Sequence, residues 1–239
     1  MTVPFSTRRG PAGAGFALAG CAALTVVLTG CADTVSGHAV AAAPSGVTRH
    51  IGAVLTTLLP DPAQFPARYP AVVLPPEAAA QAAGDLNGAG RGAVVTPAGC
   101  TPPDQKFGAD QTAIAVGTDN DTRATLTVEL IRTDKPLSAW RSQLRQCGSV
   151  RVSKGAAAST VTTELDAPPP IDADDTMALR RTVTPDVGAA GLTQSMRTLA
   201  GQVGDVRITV TYMTFGSGKP DTAALDELFT TAVRKVKKG

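Results

Sequence analysis

From Thr112 to Phe215 the chain falls into short β-rich runs separated by turn residues, and this pattern limits the fold more than any other feature. "TAIAVG" begins at Thr112, and "TRATLTVELIRT" follows after the turn cluster Asp119-Asn120-Asp121. In the second run Leu126, Val128 and Leu130 share one face, while Thr125, Thr127 and Glu129 share the other. Further strands are predicted at 149–153, 158–165, 176–184, 192–200 and 205–215. The last alternates Ile208, Val210 and Tyr212 against Thr209, Thr211 and Met213, and Gly201 to Gly204 is predicted to turn the last pair as a hairpin. Strands that follow one another with few helices between them predict an α+β domain, a mainly antiparallel sheet with helices packed on one face.

Helical spacing marks the flanks of this region. Val47, Ile51, Val54, Leu55 and Leu58 predict a helix closed by Pro60. The six prolines of "LPDPAQFPARYPAVVLPP" then demand extended or turning backbone. Residues 77–99, rich in Ala and Gly, declare no element. Leu137, Trp140, Leu144 and Cys147 recur on one helical face, with Asp134 as N-cap and Gly148 as stop. Trp140 at this spacing belongs to the core before it belongs to a binding site. Asp221 opens a last helix whose stripe is Leu225, Leu228, Phe229, Ala232, Val233 and Val236. Its end carries Arg234, Lys235, Lys237 and Lys238, where the helix dipole favours cations.

The N-terminus carries an address. Arg8 and Arg9 precede an apolar, small-residue stretch from about Ala12 to Leu28, the layout of a secretory signal peptide over residues 1–30. Export in the unfolded state fits better than twin-arginine export, because Gly10-Pro11-Ala12 lacks the bulky apolar residue that route expects. Two cysteines end similar motifs, Leu18-Ala19-Gly20-Cys21 and Leu28-Thr29-Gly30-Cys31. Leu-x-Gly-Cys resembles the lipobox of bacterial lipoproteins, in which the thiol receives a diacylglycerol and the new amino terminus is acylated. Cleavage before Cys31 uses the whole apolar run and leaves a polar start. Cleavage before Cys21 would leave "AALTVVL" exposed on the mature end. Cys31 is therefore the expected lipidation site, residues 31–46 a flexible lipidated tether, and residues 47–239 a single α+β domain.

Without Arg8 and Arg9, the 22 Lys and Arg residues fall to match the 20 Asp and Glu, so the charge-neutral body gives no reason to expect nucleic acid. The wealth of Ala, Gly, Pro and Thr resembles the bias of high-GC actinobacterial genomes. With Cys21 removed and Cys31 acylated, Cys100 and Cys147 remain, and an oxidising extracytoplasmic space favours their pairing as a disulfide. Two buried free thiols are the alternative.

The chemistry is restricted by what the sequence lacks. His38 and His50 are the only histidines, so residues 51–239 cannot supply a Ser-His-Asp or Cys-His hydrolase or a histidine-based zinc site. Gly216-Ser217-Gly218-Lys219 is no phosphate loop, because Met213 stands where a Gly is required and Pro220 where Ser or Thr is. Asp172, Asp174 and Asp175, like Asp119 and Asp121, match no complete calcium loop. Glu129 and Arg132 are the candidates to line a groove on the polar face of the sheet. Catalytic residues, metal ligands and cofactors are expected to be absent, and the ligand-binding residues are unassigned.

Taken together, Leu28-Thr29-Gly30-Cys31, the "FPARYP" of Phe65 to Pro70, Gly99-Cys100 and Gln146-Cys147-Gly148 resemble the small cell-envelope lipoproteins of mycobacteria and their relatives. Several of these carry domains of unknown function. Some are similar to the extracellular sensor domains of mycobacterial serine/threonine kinases, disulfide-bearing antiparallel sheets flanked by helices. Those sensor domains usually hold more than one disulfide, and here only one can form besides the anchor. The resemblance implies a lipid-anchored protein on the outer face of the cell membrane, a non-enzymatic module for a small apolar ligand or an envelope protein. A structural or assembly accessory of an envelope complex is the alternative, and a hydrolase working with carboxylates alone is a third. A pocket over the sheet would favour the first, a flat apolar patch the second, and two facing carboxylates in a cleft the third.

Overall fold

The computed structural model describes residues 46–47, 49–186, 193–216 and 218–239. The signal segment with Cys21, Cys31, and the tether with His38 lie outside the described residues. Nine strands form one antiparallel sheet: β1 (Ala71–Val73), β2 (Val94–Thr96), β3 (Thr112–Thr118), β4 (Thr125–Arg132), β5 (Ser149–Lys154), β6 (Ala157–Asp166), β7 (Asp175–Pro185), β8 (Gln194–Val203) and β9 (Val206–Phe215). Their order across the sheet is β1-β3-β4-β9-β8-β7-β6-β5-β2. The two edge strands have three residues each, which leaves little open ladder for another chain to join. Four helices accompany the sheet: α1 (Leu55–Leu58), α2 (Pro76–Asn87), α3 (Leu137–Gln146) and α4 (Thr222–Lys238). No helix among the described residues is long and apolar enough to cross a membrane.

The period-2 pattern decides the two faces. Leu126, Val128, Leu130, Ile208 and Val210 are buried against Leu225, Leu228, Phe229, Ala232, Val233 and Val236 of α4. Asp221 caps this helix, accepting a hydrogen bond from the Ala224 N–H at 3.1 Å, as the spacing predicts. The expected α+β antiparallel sheet is present, and helices lie on its second face as well. There α3 buries Leu137 and Leu144 against Met177, Leu179 and Ala200, and α2 lays Ala79 and Ala83 on Ile114.

Several sequence expectations need correction. The helix expected over 47–58 shrinks to the single turn α1. Upstream backbone groups are taken by loops: the Val47 N–H donates to the Asp134 carbonyl, the Ile51 N–H to Asp205 Oδ1, and the Arg49 carbonyl accepts from the Asp205 N–H. Ile51, Leu55 and Leu58 are buried nonetheless, so the apolar period is real although the helix is not. Asp134 does not cap α3. The helix starts behind Pro136, with no side-chain cap. The last hairpin turns at Gly204-Asp205, where Gly204 has φ +54° and a Cβ would stand 2.6 Å from the Arg49 carbonyl oxygen. Gly201 lies within β8 opposite Ile208, under the ring of Phe229. Residues 77–99 hold α2, which ends at Gly88 with φ +68°, and then β2.

Candidate functional site

The second face of the sheet is incompletely covered. Between it and α3 lies a cavity of about 840 Å³. That is within the range of about 300–1,000 Å³ usual for small-molecule sites. Its roof is made by Trp140, Gln143 and Leu144 of α3 and by the segment Thr101–Lys106. These two pieces are joined by the Cys100–Cys147 disulfide, which links the turn after β2 to the end of α3 and itself lines the cavity.

Strand order divides the floor. At the β5–β6 side it is aliphatic, with Val150, Val152 and Val161, joined by Val95 from β2. At the β3–β4–β9 side it is polar, with Thr112, Glu129, Ile131, Arg207 and Thr209. Arg181 of β7 and Thr163 of β6 stand between these ends. Register explains the grouping, since Glu129 faces Thr209 across β4–β9, and Ile131 faces both Arg207 and Thr112.

Three ionisable side chains are sunk into this floor, and none has an opposite charge within 4.0 Å among the described residues. Glu129 is only 7% exposed; its carboxylate accepts from Gln105 Nε2 and from Thr209 Oγ1, each at 3.1 Å. Arg181 is buried and donates from Nε to Thr163 Oγ1 at 3.1 Å and from Nη1 to the carbonyl of Leu86. That carbonyl is in the last turn of α2, where a cation satisfies an otherwise orphaned acceptor. Burial pulls the Arg181 guanidinium down to about 10, with Glu129 opposing. Arg207 lies over Trp140, its Cζ 5.1 Å from the ring centroid, and Nη2 donates to the Lys135 carbonyl at 3.3 Å. Its Nε and the nearby Thr112 Oγ1 are buried without a hydrogen-bond partner among the described residues.

Burial pushes the Glu129 carboxyl up, against the hydrogen bonds from Gln105 and Thr209 and the charges of Arg207 and Arg181. An acid raised in this way keeps its proton in the folded chain where the unfolded chain has lost it. Stability therefore falls as pH rises from the ordinary glutamate range through the higher folded value. Glu129→Gln is expected to flatten this part of the curve, read as urea midpoints from about pH 4 to 8. An unchanged slope in the variant would contradict the assignment.

The residues singled out in the sequence meet different fates. Glu129 and Arg132 do line the cavity, but Arg132 is held by Asp110 and Asp205 at 2.6 and 2.9 Å and donates to the Ile51 and Ala53 carbonyls. Trp140 is both core and cavity wall, packed with Leu137 and Leu144 and facing Arg207. Asp172, Asp174 and Asp175 go to separate cations, Lys237, Arg49 and Arg141. Lys235 pairs with Asp61, so two of the basic residues ending α4 are engaged within the domain. Asp119 pins its own turn through the Asp121 N–H and binds Arg68.

Arg181, Arg207 and Gln105 went unnoticed in the sequence, and Thr209 was placed on a strand face but not in a site. A signal existed for two of them. Arg181 shares the phase of the buried Met177 and Leu179, an unusual place for a cation, and Arg207 opens the polar phase of β9.

The fold and cavity thus define an α+β domain built on one antiparallel sheet, with a single disulfide among the described residues and a partly open site under α3. No family model matches the chain, and no curated protein matches it. Among solved structures it is similar to an uncharacterized protein of Mycobacterium smegmatis, an Rv0999 ortholog, at 18% identity and a TM-score of 0.44 over 73% of this chain and 92% of that one. It is also similar to the extracellular domain of PknH from Mycobacterium tuberculosis, at 13% identity and a TM-score of 0.42 over 62% of this chain and 78% of that one. Identities this low say nothing about ligand or partner.

Proposed function

We propose that the chain is a non-enzymatic, extracytoplasmic binding module, anchored by lipid on Cys31 and set off from the membrane by residues 31–46. Its single domain, residues 47–239, takes a small, largely apolar ligand in the cavity between the sheet and α3. The observation that carries this reading is the cavity itself, a volume of about 840 Å³ with an aliphatic end at β5–β6 and a roof fixed by a disulfide. The accessory reading has less support, because the exposed large apolar side chains among the described residues are scattered: Val54 before α1, Val72 and Val73 on one sheet edge, Val94 on the other, and Phe215 at the end of β9. The hydrolase reading wants two facing carboxylates. The cavity offers Glu129, buried, and Asp104, exposed on the loop.

Trp140 is the chain's only tryptophan and reports on the site directly. Titration with the uncharged probe N-phenyl-1-naphthylamine is expected to quench Trp140 emission saturably at one probe per chain. Ala139→Phe, which fills the cavity from α3, is expected to weaken binding about tenfold, the effect of losing about 1.4 kcal/mol of burial. Unsaturable quenching, or equal affinity in a folded Ala139→Phe variant, would defeat the reading.

A further inference from the structure

The cavity has an aliphatic end and a polar end, and its charge is lopsided. Lys106, Arg132, Lys135, Arg181 and Arg207 line it against only Asp104 and Glu129. Arg132 is neutralised by Asp110 and Asp205, which leaves the buried Arg181 and the half-buried Arg207 to set the field inside. A cleft with low-dielectric walls focuses such a field on whatever enters. Both guanidinium groups are within electrostatic reach of Glu129, yet neither forms an ion pair with it. The Nε of Arg207 and the hydroxyl of Thr112 are buried without a hydrogen-bond partner among the described residues. Buried donors without acceptors are costly, and a charged donor doubly so.

Resting on the cavity reading above, we infer that the ligand is an anionic amphiphile, its head held by Arg207 at the β4–β9 end and its alkyl tail laid over the valines of β2, β5 and β6. Arg207 is placed for this by Trp140, whose ring supports the guanidinium at 5.1 Å and leaves Nε without a protein partner. Thr112, on the same register row two strands away, supplies a neutral donor to the same end. Arg181 adds a second positive charge from the middle of the floor. Its hydrogen bonds to Thr163 and Leu86 make it a part of the frame as well. Glu129 turns its carboxyl toward the Gln105 and Thr209 donors, so it forms no ion pair with Arg207 that would compete with the head.

The test compares dodecanoate, dodecanol and acetate by calorimetry on the full, delipidated chain, each below its micelle-forming concentration. Dodecanoate is expected to bind at least tenfold more tightly than dodecanol, and acetate not measurably, since a charge-assisted hydrogen bond in a desolvated site is worth about a factor of ten or more. Arg207→Gln is expected to erase the difference between dodecanoate and dodecanol while dodecanol binding stays. Arg207→Lys, which keeps the charge, is expected to retain part of it and serves where Arg207→Gln does not fold. Equal binding of acid and alcohol by the wild type overturns the anionic head and leaves the cavity reading standing. Binding by neither overturns both. Acetate binding as tightly as dodecanoate would make this a site for free small anions and overturn the amphiphile. A preference that survives in folded Arg207→Gln overturns the placement of the head.

Discussion

Replacing Cys100 and Cys147 together with serine is expected to lower the stability of the folded domain by about 4 kcal/mol. The cysteines are 47 residues apart, and closing a loop of that size in the unfolded chain accounts for this amount by chain entropy. The loss falls unevenly. The bridge ties the turn after β2, and the loop that carries Gln105 to Glu129, to the last turn of α3. Without it the roof of the cavity is held by the packing of Leu137, Trp140 and Leu144, by the Arg141–Asp175 pair and by the Gln105–Glu129 hydrogen bond. Probe binding is therefore expected to fall further than the fraction of folded protein does. Urea unfolding followed by Trp140 emission gives the first quantity, and the probe titration in the absence of urea gives the second. An unchanged midpoint in the double variant would show that the bridge contributes nothing to the native state.

Cys31→Ser is expected to abolish lipidation outright. The motif Leu28-Thr29-Gly30-Cys31 offers a single thiol at the end of the apolar run, and a hydroxyl cannot form the thioether. Each acyl chain contributes about 0.8 kcal/mol per buried CH₂, so three chains exceed what stable anchoring needs. Intact mass spectrometry of protein taken from membranes is expected to give a wild-type chain beginning at Cys31 and carrying acyl mass that the variant lacks. A wild-type chain that kept residues 1–30 without added lipid would remove the anchor from the proposed function, and with it the main ground for an extracytoplasmic address.

Much of the sheet was legible from alternation alone, because a strand with one face on α4 and the other on a polar cavity writes its period into the sequence. Strands β4 and β9 are of this kind. Elements held by other means were not legible. The segment from Val47 to Val54 has helical apolar spacing, but the carboxylate of Asp205 and the carbonyl of Asp134, distant in sequence, take up its N–H groups. Helix α2 hid because its buried side chains are, apart from Leu86 at its end, alanines, Ala79 and Ala83, indistinguishable by hydropathy from the small-residue loops around them. The site was visible only in part. Glu129 was marked by its place on a polar strand face, whereas its neighbours Thr209, Arg181, Arg207 and Gln105 come from β9, β7 and a loop. Only the strand order β4-β9-β8-β7 and the disulfide bring them together.

The strands of this sheet serve two masters. Along β9, Ile208, Val210 and Tyr212 look toward α4, and Arg207 and Thr209 look into the cavity. Every second residue is thus free of the demands placed on its neighbours. Substitutions on the α4 side will be judged by whether the protein folds, and those on the other side by what it can hold. Under the proposed function, the ligand taken can therefore change through one face of the sheet while the other face keeps the architecture.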